Sequence, residues 1–461
     1  DVAGSLPKYL NQPGTEASVV MPYYFTEWIK SATTKLIYEG RAPLGNSDFA
    51  FRINLVEDPD MGFNLYLVDI PGRFDRPGVY IDPWSGFPYW DEKERFFSFQ
   101  IATLEWLKGA GILPDVIHCH DHHSALVPFM TSNCFRYEVF HDVPSVLTIH
   151  NGEYQGRYHL NDYMALPAFN LEKKGLLEWD DSLNSLAAGI KMAWQVTTVS
   201  EGYMQELLEF CHGLESLLQQ EQLKTQGIVN GIDEDVWDPN SDPFLHKNYN
   251  LRNYKTGKRE NKKELLQSFN LDADRPLFSF IGRLVREKGA DLLPDLIASI
   301  IDSGIEASFM VLGTGDPALH NYFHNLQSQY VGYFDTRLEY NEGLAHQIYA
   351  GSDFLLMPSR VEPCGLNQMY AMKYGTIPVV RATGGLKDTV KDLSEDNGYG
   401  FTFDNFNIED ARQAIIRAVE LYHKKSLFDK TRRINMKLDF SWKKSAEKYI
   451  ELYNKLLNLK E

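Results

Sequence analysis

The segment formed by residues 354–389 reads FLLMPSRVEPCGLNQMYAMKYGTIPVVRATGGLKDT. It contains two short apolar runs, residues 354–357 and 377–380, and each run leads into a turn rich in proline or glycine. Strands that alternate with helical patterns indicate βαβ units built around a parallel sheet. The segment therefore predicts an α/β fold, in which ligands bind at the carboxyl ends of the strands.

The same alternation extends along the whole chain. Further strands are predicted at residues 17–21, 116–120, 145–149, 195–199, 277–281 and 308–312, with helical patterns at residues 290–301 and 408–422. Two prolines among polar residues in VWDPNSDP, residues 236–243, mark the best boundary between domains. We therefore expect two Rossmann-like domains, residues 1–236 and 237–440, that face each other across a deep cleft, and a last helix over residues 441–461.

Composition excludes several classes of function. Lys and Arg number 46 against 63 Asp and Glu, and the net charge of −17 argues against broad nucleic-acid binding. No apolar run approaches the roughly 20 residues that span a bilayer. The four cysteines are unclustered, so we expect neither a disulfide framework nor a cysteine zinc site, and a reducing compartment fits best. The helical pattern at residues 6–10 predicts a preceding strand, which we expect to lie before Asp1.

Glu362 follows the strand at residues 354–357, where a carboxylate can accept hydrogen bonds from sugar hydroxyls. Pro363 fits the first turn of a helix, because its missing N–H group costs nothing there. The alternative is that Glu362 only caps that helix, since the dipole favours an acidic side chain at a helix start. Both interpretations stay open at this point.

Two glycine-rich turns also follow predicted strands. Gly384 and Gly385 can let the backbone approach a phosphate closely, although such a pair is usually only a tight turn. The Gly313-Thr314-Gly315 sequence is weaker and favours a simple turn. Positive charge for a diphosphate is available from Arg283, directly after a strand, and from Lys288 about one turn further on.

The sequence HCHDHH, residues 118–123, invites a metal-site interpretation because neutral imidazoles and Asp121 are adequate zinc ligands. So many ligand-type residues in six positions cannot converge on one ion, and no HExxH helix supports such a site. We therefore expect no metal and interpret these residues as the polar lining of a cleft. His150 and Asn151 follow the strand at residues 145–149 and are expected to line the same cleft.

Taken together, these motifs resemble the bacterial-type glycogen synthases and plant starch synthases, retaining glucosyltransferases of glycosyltransferase family 5 with the GT-B fold. The resemblance extends over effectively the whole chain. It is carried, in family order, by HCHDHH, LTIHNGEYQG, VNGIDEDVWDPNSDP, IGRLVREKG, LGTGDP and SRVEPCGLNQMYAMKYGTIPVVRATGGLKDTV. The resemblance implies that the helix at residues 441–461 crosses back onto the first domain.

The resemblance also implies roles for individual residues. Arg283 and Lys288 would hold the donor diphosphate, Glu362 would bind hydroxyls of the donor glucose, and His150 would contact the same sugar. The phosphates would be cradled by Gly384, Gly385, Leu386 and Thr389. The nucleotide base would stack on Tyr340, near Gly313 and Asp316. The acceptor and sugar would be lined by Asp121, Tyr80, Asp1, Asn151, Cys364 and Gly365.

The implied reaction transfers glucose from ADP-glucose to the non-reducing 4-hydroxyl of an α-1,4-glucan with retention of configuration, and it needs no metal or other cofactor. The acceptor would be glycogen, starch or a maltooligosaccharide, and the protein would be located in the cytoplasm or the plastid stroma. Alternatives are a UDP-glucose-dependent synthase, another enzyme on this fold such as a sucrose-type synthase or a sugar-nucleotide epimerase, and a non-catalytic glucan-binding protein.

Three positions depart from the family pattern. The Lys-x-Gly-Gly-Leu loop that contacts the donor phosphates is expected just before Asp1, outside the sequence given. His122 stands where the family often has Trp. Tyr370 occupies the position of the second Glu found in related retaining transferases, as is usual in this subfamily.

Overall fold

The computed structural model describes residues 2–460, and the side chains of residues 2–459. The chain divides into two compact units. The first unit comprises Asp1–Val199, Met204–Ile228 and Ser445–Glu461, and the second comprises Ser200–Tyr203 and Val229–Lys444.

The first unit begins with a four-stranded sheet that is only partly parallel. Its strands lie in the order Ser18–Pro22, Asn64–Asp69, Ser47–Val56 and Thr34–Leu44. The first two strands are parallel, but the other neighbouring pairs are antiparallel. The expectation of parallel sheets throughout is wrong here, because a two-residue turn folds one long strand back on the next. Gly45 in that turn has φ of 61°, which glycine adopts without strain.

The second sheet of the first unit is fully parallel. Its strands lie in the order Thr225–Gly227, Gln195–Thr198, Ser145–Ile149 and Ile117–His120. Every residue of Ser145–Ile149 is buried, as expected for a strand covered on both faces. The three strands predicted from apolar runs in this sheet are confirmed to within one residue at each end. A small antiparallel sheet contains Arg157–Tyr158, Ser182–Asn184 and Glu178–Trp179.

Helices surround these sheets. The α-helices with most of their residues in the first unit are Val2–Leu10, Glu27–Ser31, Glu92–Gly109, Val127–Asn133, Ser185–Met192, Glu201–Glu209, Glu215–Gln220 and Trp442–Lys460. Short 3₁₀ helices lie at Phe135–Phe140, Leu160–Ala165, Leu171–Leu176 and Gln222–Lys224. The helix predicted over residues 441–461 is confirmed within the described residues, and most of it belongs to the first unit.

The second unit is built on one six-stranded sheet in which all neighbouring strands are parallel. The strands lie in the order Phe334–Arg337, Ser308–Leu312, Leu277–Ile281, Phe354–Met357, Ile377–Arg381 and Phe401–Phe403. Chain order runs outward in both directions from the neighbouring strands Leu277–Ile281 and Phe354–Met357. This reversal is the switch point at which doubly wound sheets bind their ligands.

The helices of the second unit pack on both faces of this sheet. They are Tyr254–Leu265, Leu293–Asp302, Pro317–Gln329, Glu342–Gly351, Asn367–Lys373, Gly384–Thr389, Ile408–His423 and Lys425–Asn435, with 3₁₀ turns at Leu266–Ser268 and Arg286–Lys288. The central strands are held by buried rings: Phe278 stacks on Phe309 and Phe354 with centroids 5.4 and 4.7 Å apart.

The segment that contains Trp237 packs into the second unit. Its indole ring lies between His346 and Tyr370, with both ring centroids 3.8 Å away. The Asp242 carboxylate accepts a hydrogen bond from Nδ1 of His346 at 2.7 Å. The residues just before Trp237 also contact this unit, since Glu234 accepts from Lys373 and Ile232 forms a bridge with Ser441. The division falls before Val229, so that the predicted boundary after Val236 lies inside the second unit.

A buried charge cluster joins the sheet of the second unit to two helices. One oxygen of Asp353 accepts hydrogen bonds from Lys262 Nζ at 2.8 Å and from the Leu277 amide at 2.9 Å. Its other oxygen accepts from Arg432. Burial opposes ionisation of Asp353, but the charges of Lys262 and Arg432 outweigh burial and hold the pKa of this carboxyl below its usual value.

The described part of the chain also bears on the cysteines and on membrane-spanning helices. All four cysteines are buried free thiols. Among residues 2–460, none of the helices has both the length and the apolar character required to cross a bilayer.

We predict that Asp353→Asn lowers the free energy of unfolding by about 3 kcal/mol or more, because two buried cations lose their counter-charge. Urea unfolding followed by circular dichroism measures the change. The matched control is Glu409→Gln, which removes a surface carboxylate 3.7 Å from Arg412 and should change stability little. Equal stability of the two variants would contradict a structural role for the cluster.

Candidate active site

Three charged residues predicted to bind the donor lie at the switch point of the second unit. The loop after Leu277–Ile281 carries Arg283 and Lys288, and the loop after Phe354–Met357 carries Glu362. Since these strands are adjacent and parallel, their carboxyl ends lie at the same edge of the sheet. Chain topology alone therefore brings the two loops together.

Glu362 and Lys288 form an ion pair in this edge. Glu362 Oε1 accepts from Lys288 Nζ at 2.7 Å, and Glu362 Oε2 accepts from Ser359 Oγ at 2.9 Å. The side chain of Glu362 is 7% exposed and that of Lys288 is 24% exposed. A carboxylate so bonded is fixed in position, yet both groups keep further capacity, because a carboxylate accepts several hydrogen bonds and an ammonium donates three.

The helix expected to start at Pro363 begins instead at Asn367. The intervening backbone turns through Gly365, whose φ of 73° is incompatible with a regular helix. Ser200 Oγ donates to the Pro363 carbonyl at 2.6 Å and fixes this turn. Glu362 therefore caps no helix, and the alternative interpretation of this residue is wrong.

Close backbone packing places Lys288. The residue ends the 3₁₀ turn Arg286–Lys288, and Gly289 follows with φ of 69°. A Cβ atom on Gly289 would collide with the Pro358 carbonyl, so only glycine permits this approach of the two loops. Arg360 reinforces the junction with a two-pronged ion pair to Asp291 at 2.6 and 2.8 Å.

Arg283 differs from Lys288 in that its side chain is 64% exposed. Its guanidinium lies 3.3 Å from the Glu287 carboxylate within the same loop. An exposed pair of this kind is weak, so Arg283 can exchange Glu287 for a ligand at small cost. Of the two cations predicted to bind a diphosphate, Lys288 is therefore held in place, whereas the Arg283 side chain can change its position.

The glycine turn supports Glu362 rather than offering two free amides. The Gly385 amide donates to the Glu362 carbonyl at 3.0 Å, and the Leu386 amide donates to the Thr383 carbonyl at 3.0 Å. Both N–H groups are therefore bonded within the protein in this structure, and their role in binding phosphate stays a prediction. Gly384 has φ of 45°, and Thr389 is buried with its hydroxyl donating to the Gly385 carbonyl.

The neighbouring Gly313 turn is mainly structural. Its Cα packs so closely on Gly282 that no Cβ atom fits, and Asp316 caps the helix Pro317–Gln329 by accepting from the Ala318 amide at 2.8 Å. Tyr340, by contrast, is 83% exposed and leaves a ring face open. Cys364 lies beside Gly385, and burial raises the pKa of its thiol to about 12, so it is not a nucleophile.

In the first unit, Asp121 and His150 follow neighbouring parallel strands. Asp121 Oδ1 accepts from the His150 amide at 2.7 Å, and Asp121 has φ of 52°, an uncommon conformation for a residue with a side chain. Burial raises the pKa of Asp121, although the His150 amide acts against the rise. Such backbone strain is often found at functional sites.

The histidines of this cluster bond to one another and to hydroxyl groups. His120 Nδ1 lies 2.9 Å from His150 Nε2, and His118 Nε2 lies 2.6 Å from Thr148 Oγ1. Burial lowers the pKa of His150 to about 4 and that of His120 to about 3, so both rings are neutral at pH 7. Among the described residues, no group of three or more acidic, histidine or cysteine side chains is arranged to hold a metal ion.

Three further residues of the predicted site are Tyr80, Asn151 and Asp1. The Tyr80 ring is half exposed and lies 5.0 Å from the His123 ring, and the Asn151 side chain accepts from the Glu153 amide at 2.9 Å in a local turn. Asp1 lies outside the described residues. The sequence analysis did not identify Ser359. Its position three residues before Glu362 in the same turn could have indicated that its hydroxyl group contacts the carboxylate.

Comparison with known proteins places this geometry in a family. Residues 1–220 match the family model described as starch synthase catalytic domain, and residues 261–435 match glycosyl transferases group 1. A glycogen synthase of Flavobacterium johnsoniae is 45% identical, with 100% of this chain and 96% of the relative covered.

Solved structures agree with the sequence comparison. The catalytic domain of starch synthase IV from Arabidopsis thaliana, bound to ADP and acarbose, is 30% identical with a TM-score of 0.88 over 99% of this chain and 95% of that one. A sucrose-phosphate synthase from Thermosynechococcus elongatus is 17% identical with a TM-score of 0.58, over 98% and 92% of the chains, and shares the fold alone. The predicted GT-B class of two Rossmann-like units is confirmed, and the chain belongs to the family of glycogen and starch synthases.

Proposed function

We propose that the protein transfers glucose from ADP-glucose to the non-reducing 4-hydroxyl of an α-1,4-glucan such as glycogen, with retention of the α configuration. Membership of the glycogen and starch synthase family supports the class of reaction. The observation that carries the proposal is the ion pair of Lys288 and Glu362 at the switch point of the second unit. The pair sets a cation beside a carboxylate that can accept hydrogen bonds from sugar hydroxyls, which is the combination that a nucleoside diphosphate sugar requires.

The leaving group is a diphosphate, and its negative charge grows as the bond from C1 of glucose to the phosphate oxygen breaks. Preorganised cations are usually the largest source of stabilisation for such a charge. Lys288, held by Glu362, needs little rearrangement, and Arg283 can turn from Glu287 to the phosphate. These two side chains supply the charge in the proposal, so no metal ion or other cofactor takes part.

Glu362 orients the sugar. One oxygen faces Lys288 and the other faces Ser359, so the remaining lone pairs can accept from glucose hydroxyls in one fixed direction. No covalent intermediate is invoked. Among the described residues, the Ser359 hydroxyl beside Glu362 donates to its carboxylate, and burial raises the pKa of the Cys364 thiol to about 12. The acceptor 4-hydroxyl attacks C1 from the face that the phosphate leaves, and its proton passes to the departing phosphate.

The first unit contributes sugar-binding residues to the proposal. His150 is neutral at pH 7, so its ring can donate and accept hydrogen bonds with sugar hydroxyls. Asp121 is tied to the backbone of His150 and fixes its position. Half-exposed Tyr80 offers a ring face and a hydroxyl group to a glucan chain. Exclusion of water from the reacting centre would suppress hydrolysis of the donor.

The central test is an initial-rate assay of the full chain with ADP-glucose and glycogen, in which incorporated glucose is measured. We expect transfer by the wild type and a fall of roughly 100-fold or more in Glu362→Gln, because the variant keeps the shape but loses the charge that holds Lys288 and the sugar. Glu409→Gln is the control, with an exposed carboxylate on the same unit. Near-normal rates in Glu362→Gln would contradict the assignment.

A second prediction concerns the leaving group. Lys288→Ala and Arg283→Ala should lower kcat more than they weaken glycogen binding, because the lost interaction strengthens as the diphosphate departs. Arg286→Ala is the matched control, since this exposed arginine lies in the same loop. A raised KM for glycogen with unchanged kcat would remove both residues from the leaving-group site.

A third prediction is that ADP-glucose is used in preference to UDP-glucose. The exposed Tyr340 ring can stack on either base, so discrimination has to come from polar groups that read the base edge. The measurement is kcat/KM for each donor at subsaturating concentration with the same glycogen. A value for UDP-glucose equal to or above that for ADP-glucose would reject the donor and leave the glucan-synthase proposal in place.

A further inference from the structure

Three large aromatic side chains of the first unit extend into solvent from one short loop. Trp84, Phe87 and Trp90 are 79%, 72% and 88% exposed. Exposed apolar groups clustered in this way commonly mark a binding surface. Neither the fold nor the proposed transfer reaction accounts for them, so we asked what the loop, called here the aromatic hairpin (residues 81–90), can bind.

The aromatic hairpin is held in one conformation. Ile81 and Pro88 form an antiparallel bridge, and the Asp82 amide donates to the Phe87 carbonyl at 2.9 Å. The Gly86 amide donates back to the Asp82 carbonyl at 2.8 Å. These bonds fix the backbone that carries the exposed rings. A partner therefore meets a preorganised surface and loses less entropy on binding.

Buried charges secure the base of the hairpin. The Asp91 carboxylate, 1% exposed, accepts from Arg73 at 3.0 Å and from Arg76 at 2.9 Å. The buried Arg95 guanidinium donates to the Arg73 carbonyl at 2.9 Å and to the Val79 carbonyl at 2.8 Å. The base is thus anchored by charge-assisted bonds while the rings stay in solvent.

A cavity of about 480 Å³ opens at the foot of the hairpin, and its walls belong to the first unit. It is lined by Pro88, Glu92, His122, residues 153–157 and His212. Pro88, one of the lining residues, directly follows the exposed Phe87 in the chain, so the cavity opens next to the aromatic hairpin. The volume falls in the range of small-molecule sites.

His122 leaves one buried atom without a partner in this cavity. Its ring is 5% exposed, and Nδ1 donates to the Tyr154 carbonyl at 3.1 Å, since a carbonyl can only accept. Among the described residues, Nε2 of this ring has no hydrogen-bond partner. The nearest Glu92 oxygen lies 3.5 Å away. A ligand hydroxyl, which both donates and accepts, can bond to Nε2 and to the Glu92 carboxylate.

We propose that the aromatic hairpin and the cavity at its foot are a docking site for a stretch of the glucan acceptor. This inference rests on the proposed function, which supplies the polymer. The apolar faces of glucose units pack on Trp84 and Trp90, and their hydroxyls form hydrogen bonds with His122 and Glu92. Aromatic rings give large contact area at low entropic cost, and a polyhydroxylated chain can both donate to and accept from the polar groups of the cavity.

Charge and continuity favour a neutral glucan over other occupants. The chain carries a net charge of −17, which repels anionic phospholipid surfaces and nucleic acids but not a neutral polysaccharide. Tyr80 directly precedes the hairpin, and its ring lies 5.0 Å from that of His123. The docking surface is therefore continuous with the residues assigned to the acceptor.

The test compares glycogen binding by the wild type, the double variant Trp84→Ala/Trp90→Ala, and the control Phe135→Ala, which removes a ring 66% exposed on the same unit. Mobility in native gels containing glycogen gives Kd without any donor. We expect the double variant to bind glycogen about tenfold more weakly. Its KM for glycogen should rise by a similar factor with kcat retained, while the control behaves as the wild type.

Three results of these experiments would overturn the inference. An unchanged Kd in the double variant rejects the site, and an equal loss in Phe135→Ala makes the effect unspecific. Light scattering that shows a wild-type dimer and a monomeric double variant, with glycogen affinity unchanged, makes a second copy the occupant. If the wild type transfers no glucose, the proposed function is wrong. The comparison of glycogen binding in the gels then still tests whether the docking site exists.

Discussion

The ion pair between Lys288 and Glu362 is the interaction on which the candidate active site depends. The two residues are 74 positions apart in the sequence and meet at 2.7 Å because their strands are neighbours in the sheet. A carboxylate that is 7% exposed needs a partner, since an unpaired buried charge is costly. The pair therefore fixes the loop junction and supplies the charges that the proposed chemistry uses.

Glycines make this junction possible. Gly289 brings one loop against Pro358, and Gly385 packs against Cys364, in each case with no room for a side chain. The Gly385 amide then holds the Glu362 carbonyl. These two glycines therefore act by allowing the backbones of neighbouring loops to approach each other. The close packing of the loops helps to orient the Glu362 carboxylate. Geometry set by the backbone is more rigid than geometry set by flexible side chains alone.

Much of the second unit could be predicted from the sequence, because its strands are continuous apolar runs followed by turns. Leu277–Ile281, Ser308–Leu312 and Phe354–Met357 were expected at those bounds. The antiparallel strands Thr34–Leu44 and Ser47–Val56 were missed, since their exposed faces interrupt the apolar pattern. The start of the helix at Asn367 and the use of the Gly385 amide depend on contacts between distant segments, which no local pattern contains.

The most direct measurement of the central claim is a double-mutant cycle on kcat/KM with Glu362→Gln, Lys288→Met and the two combined. If the two residues act as one unit, either single substitution already causes most of the loss in kcat/KM that the other substitution would cause. The account then predicts that the double variant loses little more activity than either single variant. Losses that multiply, as for two independent sites, would contradict the claim that this ion pair organises the active site.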